Sequence, residues 1–209
     1  MPISHAYKCI FVHIPKCAGT SIEKALDIFG DNPANLFGYD PNHKIAMQHL
    51  TIGQMLDWGY ITKEMYHTYF KFAFVRDPYD RALSSAAYHD ISLLSFLKND
   101  PREWQGKVRH GIPFIWHIDQ HLKPQKDYVY HDSKLAVDFI GKYENLAADW
   151  ATVVSKLNID KDLPRTNQSK HEGYRQYYGR AENALADRLY RDDFDTFGYR
   201  RRKLAMTLL

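Results

Sequence analysis

The chain alternates short, fully apolar runs with longer stretches in which apolar residues recur every three or four positions. The run Cys9–Ile14 is typical of a buried strand. A turn containing proline and glycine follows it. The next stretch predicts a helix that begins near Thr20 or Ser21 and ends at Gly30.

The same alternation continues towards the C-terminus. Phe70–Val75 predicts a second strand, and Asp77-Pro78 directly after it is a helix-start signal. A third strand is predicted at Leu135–Ile140. Helices are predicted from Asp77 to Tyr88, and over Ile52–Leu56, Leu146–Leu157 and Arg180–Tyr190. Alternation of this kind predicts an α/β fold with a central, mostly parallel sheet flanked by helices. No repeat or linker divides the chain, so we expect one domain over residues 1–209.

Composition and charge narrow the class of protein. The 209 residues include 28 Lys and Arg against 25 Asp and Glu, a formal net charge of +3. So small an excess argues against binding a nucleic-acid polymer through diffuse positive charge. The two cysteines imply no disulfide framework, and we expect a reducing, cytoplasmic location. We find no secretory signal and no apolar run near the ~18 residues of a membrane span. The oligomeric state is not readable from these features.

The first strand–helix connection, His13–Ser21, is suited to binding an anion. In parallel sheets, ligands bind beyond the carboxyl ends of the strands, where loops meet helix N-termini. Lys16 supplies a cation, and Gly19 lets the backbone approach a ligand closely. Thr20 and Ser21 add hydroxyl groups. The loop is not a Walker A motif, because that motif places Lys directly before Ser or Thr. The alternative, a simple capped helix, would need neither the lysine nor the glycine.

The second strand–helix connection, within Phe74–Ser85, can hold a phosphate. Arg76 stands at the end of the strand, and Ser84 follows eight positions later, about two helical turns away. A guanidinium and a hydroxyl can hold one phosphate from two directions. The alternative is a local capping network made by Asp77, Asp80 and Arg81. The pairing with the first loop favours the phosphate site.

Together, HIPKCAGTS (His13–Ser21) and FVRDPYDRALSS (Phe74–Ser85) resemble the paired signatures of sulfotransferases that use 3′-phosphoadenosine-5′-phosphosulfate (PAPS). The resemblance is strongest to the carbohydrate-type branch related to heparan sulfate 2-O-sulfotransferase and its small bacterial relatives. Supporting similarities lie at His121–Gln125, at Lys142–Leu146 with Asp149, and at Tyr190–Tyr199. The resemblance implies a P-loop-like three-layer fold. It also implies transfer of a sulfuryl group from PAPS to an acceptor hydroxyl, in this branch that of a saccharide, with release of 3′,5′-ADP (PAP).

The resemblance also implies which residues bind the donor. The first loop would bind the 5′-phosphosulfate, and the arginine and serine of the second loop would bind the 3′-phosphate. The implied donor-binding residues are Lys16, Cys17, Ala18, Gly19, Thr20, Ser21, Arg76, Ser84, Asn167 and Ser169. Asn167 and Ser169 lie in an Asn-x-Ser stretch that borders the nucleotide site in similar proteins, although an ordinary turn is the alternative. Cys17 replaces a common threonine, and packing is favoured over a reactive thiol.

Sulfuryl transfer to a hydroxyl needs a base for the acceptor proton and a cation at the departing phosphate. Lys16 suits the second task. For the first, the resemblance points to a histidine between the two loops, where His43 and His49 are candidates and His49 is favoured. A purely structural histidine is the alternative. His13 is expected to be a core residue, and Glu23 a partner of the helix N-terminus.

A further group of polar residues, His117, His121 and Gln125, is predicted to line the acceptor groove or its supporting wall. The two histidines stand four apart, but HIDQH does not match the zinc motif HExxH and a third ligand is not identified. We therefore expect no metal, since Lys16 and backbone N–H groups can stabilise the negative charge of PAPS. Two other function classes stay open: an ATP-dependent phosphotransferase and a nucleotide-binding protein without turnover. Only the first of these predicts Mg²⁺ dependence.

Overall fold

The computed structural model describes residues 3–30, 38–109, 112–164 and 173–203, and its centre is a four-stranded sheet. The strands lie in the order β1 (Ile3–Ser4), β2 (Cys9–Val12), β5 (Phe70–Val75) and β10 (Phe139–Lys142). β2, β5 and β10 run parallel, and β1 pairs antiparallel with β2 at the edge. The predicted α/β fold with a central, mostly parallel sheet is confirmed.

Helices flank this sheet, and short hairpins lie between them. The helices are α1 (Gly19–Ala25), α2 (Ile52–Asp57), α3 (Lys63–Thr68), α4 (Pro78–His89), α5 (Leu93–Lys98), α6 (Phe114–Leu122), α7 (Lys126–Val129), α8 (Leu146–Leu157), α9 (Arg180–Leu189) and α10 (Arg191–Phe197). The two-stranded hairpins pair β3 (Tyr39–Asp40) with β4 (Ile45–Ala46), β6 (Val108–Arg109) with β7 (Ile112–Pro113), and β8 (Tyr130–His131) with β9 (Lys134–Leu135). Within the described ranges, no helix is long and apolar enough to cross a membrane.

The apolar residues form two buried clusters. The larger surrounds the sheet and takes in the whole of β2, the buried part of β5, and Trp150 and Val153 from α8. The second joins α4, α5, α6, α9 and α10 around Tyr79, Phe96 and Phe194. Burial of side chains of this size contributes about 1.5–3 kcal/mol each. The second cluster packs α4, which follows β5 in the chain, against α5, α6, α9 and α10.

The sheet register brings the two predicted anion loops together. Val12, the last residue of β2, pairs with Ala73 in β5, and Val75 at the end of β5 pairs with Lys142. Because these strands are parallel, the loops that follow β2 and β5 leave the same edge of the sheet side by side.

The third strand differs from its sequence-based prediction. Leu135 lies in the β8–β9 hairpin, and the sheet strand begins only at Phe139. Asp138 directly precedes the strand and accepts hydrogen bonds from both the backbone N and Nζ of Lys71. The strand then continues through Gly141, where a Cβ would lie 2.5 Å from the Phe74 ring. The predicted strand therefore overlaps the observed one only at Phe139 and Ile140, and the rest of the apolar run precedes it.

The first helix is shorter than predicted. It begins at Gly19 and ends at Ala25, because Asp27 adopts a left-handed conformation with φ of 56°. The N–H of Ile28 then donates to the carbonyl of Glu23, which closes the helix end. β2 is also shorter than predicted, since His13 and Ile14 already belong to the loop.

Candidate active site

The loops that follow β2 and β5 enclose a cavity of about 250 Å³. The predicted residues that line it are Lys16, Ala18, Gly19, Thr20, Ser21, His49, Arg76, Ser84 and His121. Seven further residues complete the lining: His13, Gln48, Tyr88, Tyr143, Leu146, Leu163 and Pro164. Residues widely separated in sequence therefore meet at one place.

The first loop has an unusual backbone conformation. Lys16 and Ala18 both have positive φ, 67° and 66°, although neither is glycine. A non-glycine residue held there costs on the order of 1 kcal/mol or more, and such residues cluster at ligand-binding sites. The N–H groups of Ser21 and Ile22 already donate to the carbonyl of Ala18. With only seven residues in α1, the positive charge of the cavity comes chiefly from Lys16 and Arg76.

Lys16 is held against the opposite wall of the cavity. Its Nζ lies 4.4 Å from the centre of the Tyr88 ring, within cation–π distance. Tyr88 stands on α4, so this contact directs the lysine side chain across the cavity rather than out to solvent. Sequence reasoning missed Tyr88 because nothing in α4 alone indicates which face meets the first loop.

Arg76 is buried and held on three sides. Its Nε and Nη2 each lie 2.8 Å from Asp80 Oδ2, and Nη1 donates to the carbonyl oxygen of Lys16. The guanidinium also lies 4.2 Å from the centre of the Tyr143 ring. Ser84, buried two turns along α4, lines the same cavity. The arginine and serine are thus brought together as predicted from their spacing.

The local capping network considered as an alternative also exists, in part. Asp77 caps α4 by accepting from the N–H of Tyr79 at 2.9 Å. Arg81 takes no part in it, because its fully buried guanidinium donates to the carbonyls of His121 and Lys123. Capping and cavity lining are therefore carried by different residues of the same segment.

His49 lies on the cavity wall as a buried, neutral imidazole. Its Nδ1 donates to the carbonyl of His13 at 3.0 Å, which leaves the lone pair on Nε2. Burial, reinforced by the neighbouring His13, lowers the pKa of His49 well below its ordinary value. Gln48 Nε2 lies 3.2 Å from His49 Nε2, which places an amide donor beside that nitrogen.

His43, the other candidate base, is held elsewhere. Its Nδ1 lies 2.5 Å from Asp40 Oδ2, and its ring stacks on Trp58 with centroids 3.8 Å apart. It does not line the cavity. Geometry therefore separates two histidines that the sequence left as alternatives.

His13 and Glu23 form a pair that the sequence did not reveal. His13 Nδ1 lies 2.5 Å from Glu23 Oε1, and both residues are buried. The His13 ring also packs against Gly19, where an added Cβ would lie 1.8 Å from Nε2. The available signal was an acidic residue within the apolar stripe of α1, beside Ile22 and Leu26.

The residues predicted for the acceptor groove occupy different positions. His121 lines the cavity, stacks on Tyr88 at 5.2 Å and meets the edge of His49 at 5.6 Å, and burial lowers its pKa well below the ordinary value. His117, one turn earlier on α6, is buried outside the cavity lining. In the part of the chain that the structure describes, no cluster of three or more His, Cys, Asp or Glu side chains forms a metal site.

Gln125 lies behind the loops rather than in the cavity. It is fully buried; its Oε1 accepts from the backbone N–H of Arg76, and its Nε2 donates to the Arg76 carbonyl, both at 2.8 Å. Its own N–H donates to Asp193 in α10. Gln125 therefore fixes the backbone of Arg76, which explains how the stretch His121–Gln125 and α10 support the site.

Cys17 is a packed thiol. It is buried, and its Sγ donates weakly to the Pro15 carbonyl and to Gln125 Oε1. Burial raises the pKa of this thiol to about 12, despite the nearby Arg81 and Arg76. A thiol with so high a pKa is a poor nucleophile. The packing interpretation of Cys17 is therefore supported, and a reactive thiol is not.

The later motifs support the loops. Glu144 Oε1 accepts from the backbone N–H of Asp77 at 2.6 Å, and its Oε2 accepts from the Tyr199 hydroxyl. Asp149 accepts from the backbone N–H of Lys142. Asn167 and Ser169 lie outside the described residues; the last described positions before them, Leu163 and Pro164, line the cavity.

Comparison with known proteins identifies the family of this chain. A model of the sulfotransferase family matches residues 1–200, and the chain belongs to that family. An uncharacterized protein of Archaeoglobus fulgidus is 28% identical over 117 residues, which cover 56% of this chain and 91% of that protein. No solved structure matches the chain significantly. Family membership supports a transferase that moves sulfuryl groups to a hydroxyl-bearing acceptor.

Proposed function

We propose that this protein transfers the sulfuryl group of PAPS to a hydroxyl group of a saccharide acceptor and releases PAP. The observation that supports this most directly is the cavity itself. It combines two fixed cations, Lys16 and Arg76, with a neutral imidazole, His49, whose Nε2 carries a lone pair. Donor binding and acceptor activation need these two kinds of group in one place.

The donor would span the cavity between the two loops. Lys16, Thr20 and Ser21 would hold the 5′-phosphosulfate. Arg76 and Ser84 would hold the 3′-phosphate, for which a guanidinium fixed by Asp80 and Tyr143 is already in place. The apolar part of the lining, Leu146, Leu163 and Pro164, suits the face of an adenine base.

In the transfer step, the acceptor oxygen forms a bond to sulfur while the bond from sulfur to the bridging phosphate oxygen breaks. The electron pair of the broken bond stays on that oxygen, which Lys16 neutralises. The proton of the acceptor hydroxyl goes to His49 Nε2. The low pKa of His49 keeps this nitrogen free of a proton at neutral pH, so the base is in its active form before the acceptor arrives.

Gln120 positions this base. Its Nε2 donates to the carbonyls of both Ala46 and His49 at 2.9 Å, and its Oε1 accepts from the N–H of Ala46. These bonds fix the short 3₁₀ segment Met47–His49 against α6. The base is therefore held by the fold rather than by the ligand.

The test is PAP release from PAPS, measured with and without a panel of saccharide and non-saccharide alcohols. The proposal predicts PAP release that rises with a saccharide and requires no added Mg²⁺. If the protein binds PAP but no acceptor increases the formation of PAP from PAPS, it would instead be a nucleotide-binding protein. Transfer from ATP·Mg²⁺ with none from PAPS would show a phosphotransferase and contradict the proposal.

A further inference from the structure

His121 lines the cavity, and the transfer step leaves it without a role. The residue is only 3% exposed, yet within the part of the chain that the structure describes neither nitrogen of its ring has a hydrogen-bond partner. Nδ1 is enclosed by protein, whereas Nε2 is accessible, so Nε2 is the nitrogen that opens into the cavity. A buried polar group without a partner is destabilising, and a phenylalanine would pack here without that cost. The unused nitrogen therefore indicates a ligand.

The ring of His121 is held in place by contacts that leave Nε2 unused. Its face stacks on Tyr88 with centroids 5.2 Å apart and planes 6° apart, and the ring of His89 meets it edge-on at 4.5 Å. The backbone carbonyl of His121 accepts from Arg81 Nη1 at 3.0 Å, which fixes this point of α6. The imidazole is therefore positioned before any ligand binds, which lowers the entropic cost of selective binding.

His121 lies at the reacting end of the cavity. Its ring meets the ring of His49, the proposed base, with centroids 5.6 Å apart and planes 85° apart. Tyr88, on which His121 stacks, also contacts Lys16, whose Nζ lies 4.4 Å from the centre of that ring. His121 thus touches the base directly, and Tyr88 connects it to the cation assigned to the leaving oxygen. A group bound to His121 Nε2 therefore lies beside the reacting atoms.

A hydroxyl group suits this nitrogen better than a sulfuryl oxygen does. A nitrogen of a neutral imidazole either donates or accepts, depending on which nitrogen carries the proton, and a hydroxyl is a partner for both forms. A sulfuryl oxygen only accepts, and a cation binds it more strongly than a neutral group does. His121 is neutral at neutral pH, because burial, reinforced by His89 and His49, lowers its pKa well below the ordinary value. These properties favour a hydroxyl of the acceptor over the sulfuryl group of PAPS.

We propose that His121 is a specificity-determining residue: Nε2 of its ring binds a second hydroxyl of the acceptor, on the carbon next to the one that is sulfated. Two imidazoles in edge contact can be reached together by hydroxyls on adjacent carbons of a sugar ring, but not by hydroxyls on its opposite sides. The acceptor is therefore a vicinal diol, and His121 orients the reacting hydroxyl towards His49. This inference rests on the proposed function and narrows its acceptor.

The test compares acceptors that differ by one hydroxyl. The parent acceptor is the methyl glycopyranoside that gives the fastest PAP release from PAPS, and NMR of the product identifies the sulfated carbon. Each monodeoxy derivative lacks the hydroxyl on one carbon that flanks the sulfated one. For one of these derivatives we expect kcat/KM of the wild type to fall roughly ten- to a hundredfold below that of the parent, because His121 Nε2 is then left without its partner.

His121→Phe keeps the stacking on Tyr88 but removes both ring nitrogens. In this variant, kcat/KM for the parent acceptor should fall roughly ten- to a hundredfold, and the deoxy derivative should match the parent within about threefold. PAP affinity should stay within a few fold of the wild type. His117→Phe, one turn earlier on α6 and outside the cavity lining, is the matched control and should discriminate as the wild type does. A merely structural role for His121 would lower kcat/KM for both acceptors equally.

The outcomes separate this inference from the proposed function. It is overturned if the wild type sulfates a carbon without a hydroxyl-bearing neighbour, if every deoxy derivative equals the parent, or if His121→Phe still discriminates. A loss of PAP affinity in His121→Phe as large as its loss of kcat/KM would assign His121 to the donor and also overturn it. Where His121→Phe does not fold, His121→Leu and the wild-type comparison still test the inference. If no methyl glycopyranoside raises PAP release, the proposed function fails and this inference fails with it.

Discussion

Arg76 Nη1 donates a hydrogen bond of 3.2 Å to the carbonyl oxygen of Lys16, a residue 60 positions earlier in the chain. This bond joins the two loops of the candidate site directly. It exists because β2 and β5 are parallel neighbours whose carboxyl ends meet at one edge of the sheet. The cations assigned to the two ends of the donor are therefore held in a fixed relation to each other.

Replacing Arg76 should discriminate between nucleotides. Arg76→Ala is expected to weaken PAP binding roughly ten- to a hundredfold, because it removes the charge-assisted bonds that we propose Arg76 makes to the 3′-phosphate. Adenosine 5′-phosphosulfate lacks that phosphate, so its affinity should fall much less in this variant. Calorimetry with both ligands measures the difference, and Arg102→Ala, whose side chain is 85% exposed, is the matched control. Equal losses for both ligands would remove Arg76 from its assigned role.

Two neighbouring positions in the first loop should respond in opposite ways. Gly19→Ala places a Cβ 1.8 Å from His13 Nε2, and we expect it to lower the free energy of unfolding by about 1–3 kcal/mol and to abolish PAP binding. Ala18 already has φ of 66°, so Ala18→Gly relieves strain and should leave stability unchanged or raised. Urea unfolding of the two variants compares them. A more stable Gly19→Ala than Ala18→Gly would show that the loop is not packed as described.

Replacing His49, the proposed base, should separate turnover from binding. His49→Ala is expected to lower the rate of sulfuryl transfer by roughly 10²–10⁴, the usual contribution of a general base, while PAP affinity stays within a few fold of the wild type. PAP release and PAP titration on the same preparation provide both values. His43→Ala is the matched control, since His43 does not line the cavity. Full activity in His49→Ala, or its loss in His43→Ala, would reassign the base.

The buried histidines predict how stability depends on pH. The pKa values of His49 and His121 are lowered in the folded state by burial, so the unfolded chain binds their protons first as the pH falls. The contribution of these histidines to the free energy of unfolding is therefore fully present above the pKa of histidine in the unfolded chain, near ~6.5. Below that pH the contribution is lost, by at most about 1.4 kcal/mol per pH unit for each histidine. Urea unfolding between pH 7.5 and 5.5 measures this slope. His121→Gln should flatten it and exposed His67→Gln should not; equal slopes in all three proteins would refute the assignment.

Local signals in the sequence sufficed for part of the fold. β5 and α8 were predicted to the residue, Phe70–Val75 and Leu146–Leu157, because each is a dense apolar pattern with clear boundaries. β10 was misplaced because Leu135 belongs to a hairpin and Gly141, which carries no apolar signal, lies inside the strand. Its position depends on pairing with β5 and on the space that Phe74 requires.

The candidate site was predictable where loop composition carries the chemistry. Four predicted residues line one cavity: Lys16, Gly19, Arg76 and Ser84. They could be predicted because strand ends and helix starts are recognisable in the sequence. The supporting contacts were not predictable. Glu23 meets His13 across the loop, and Gln125 holds the Arg76 backbone from 49 positions away. Such partners follow from three-dimensional packing, and a single sequence does not specify them.

Thermal unfolding in the presence of PAP shows whether this cavity binds the nucleotide of a sulfuryl donor. PAP at 100 times its dissociation constant should add about 2.7 kcal/mol to the free energy of unfolding, whereas ATP·Mg²⁺ at the same concentration should add far less. For Arg76→Ala, a ten- to hundredfold loss of affinity should lower the stabilisation by the same PAP concentration to about 0.4–1.4 kcal/mol. No stabilisation by PAP, or a larger effect of ATP·Mg²⁺, would show that the cavity does not bind the nucleotide of a sulfuryl donor.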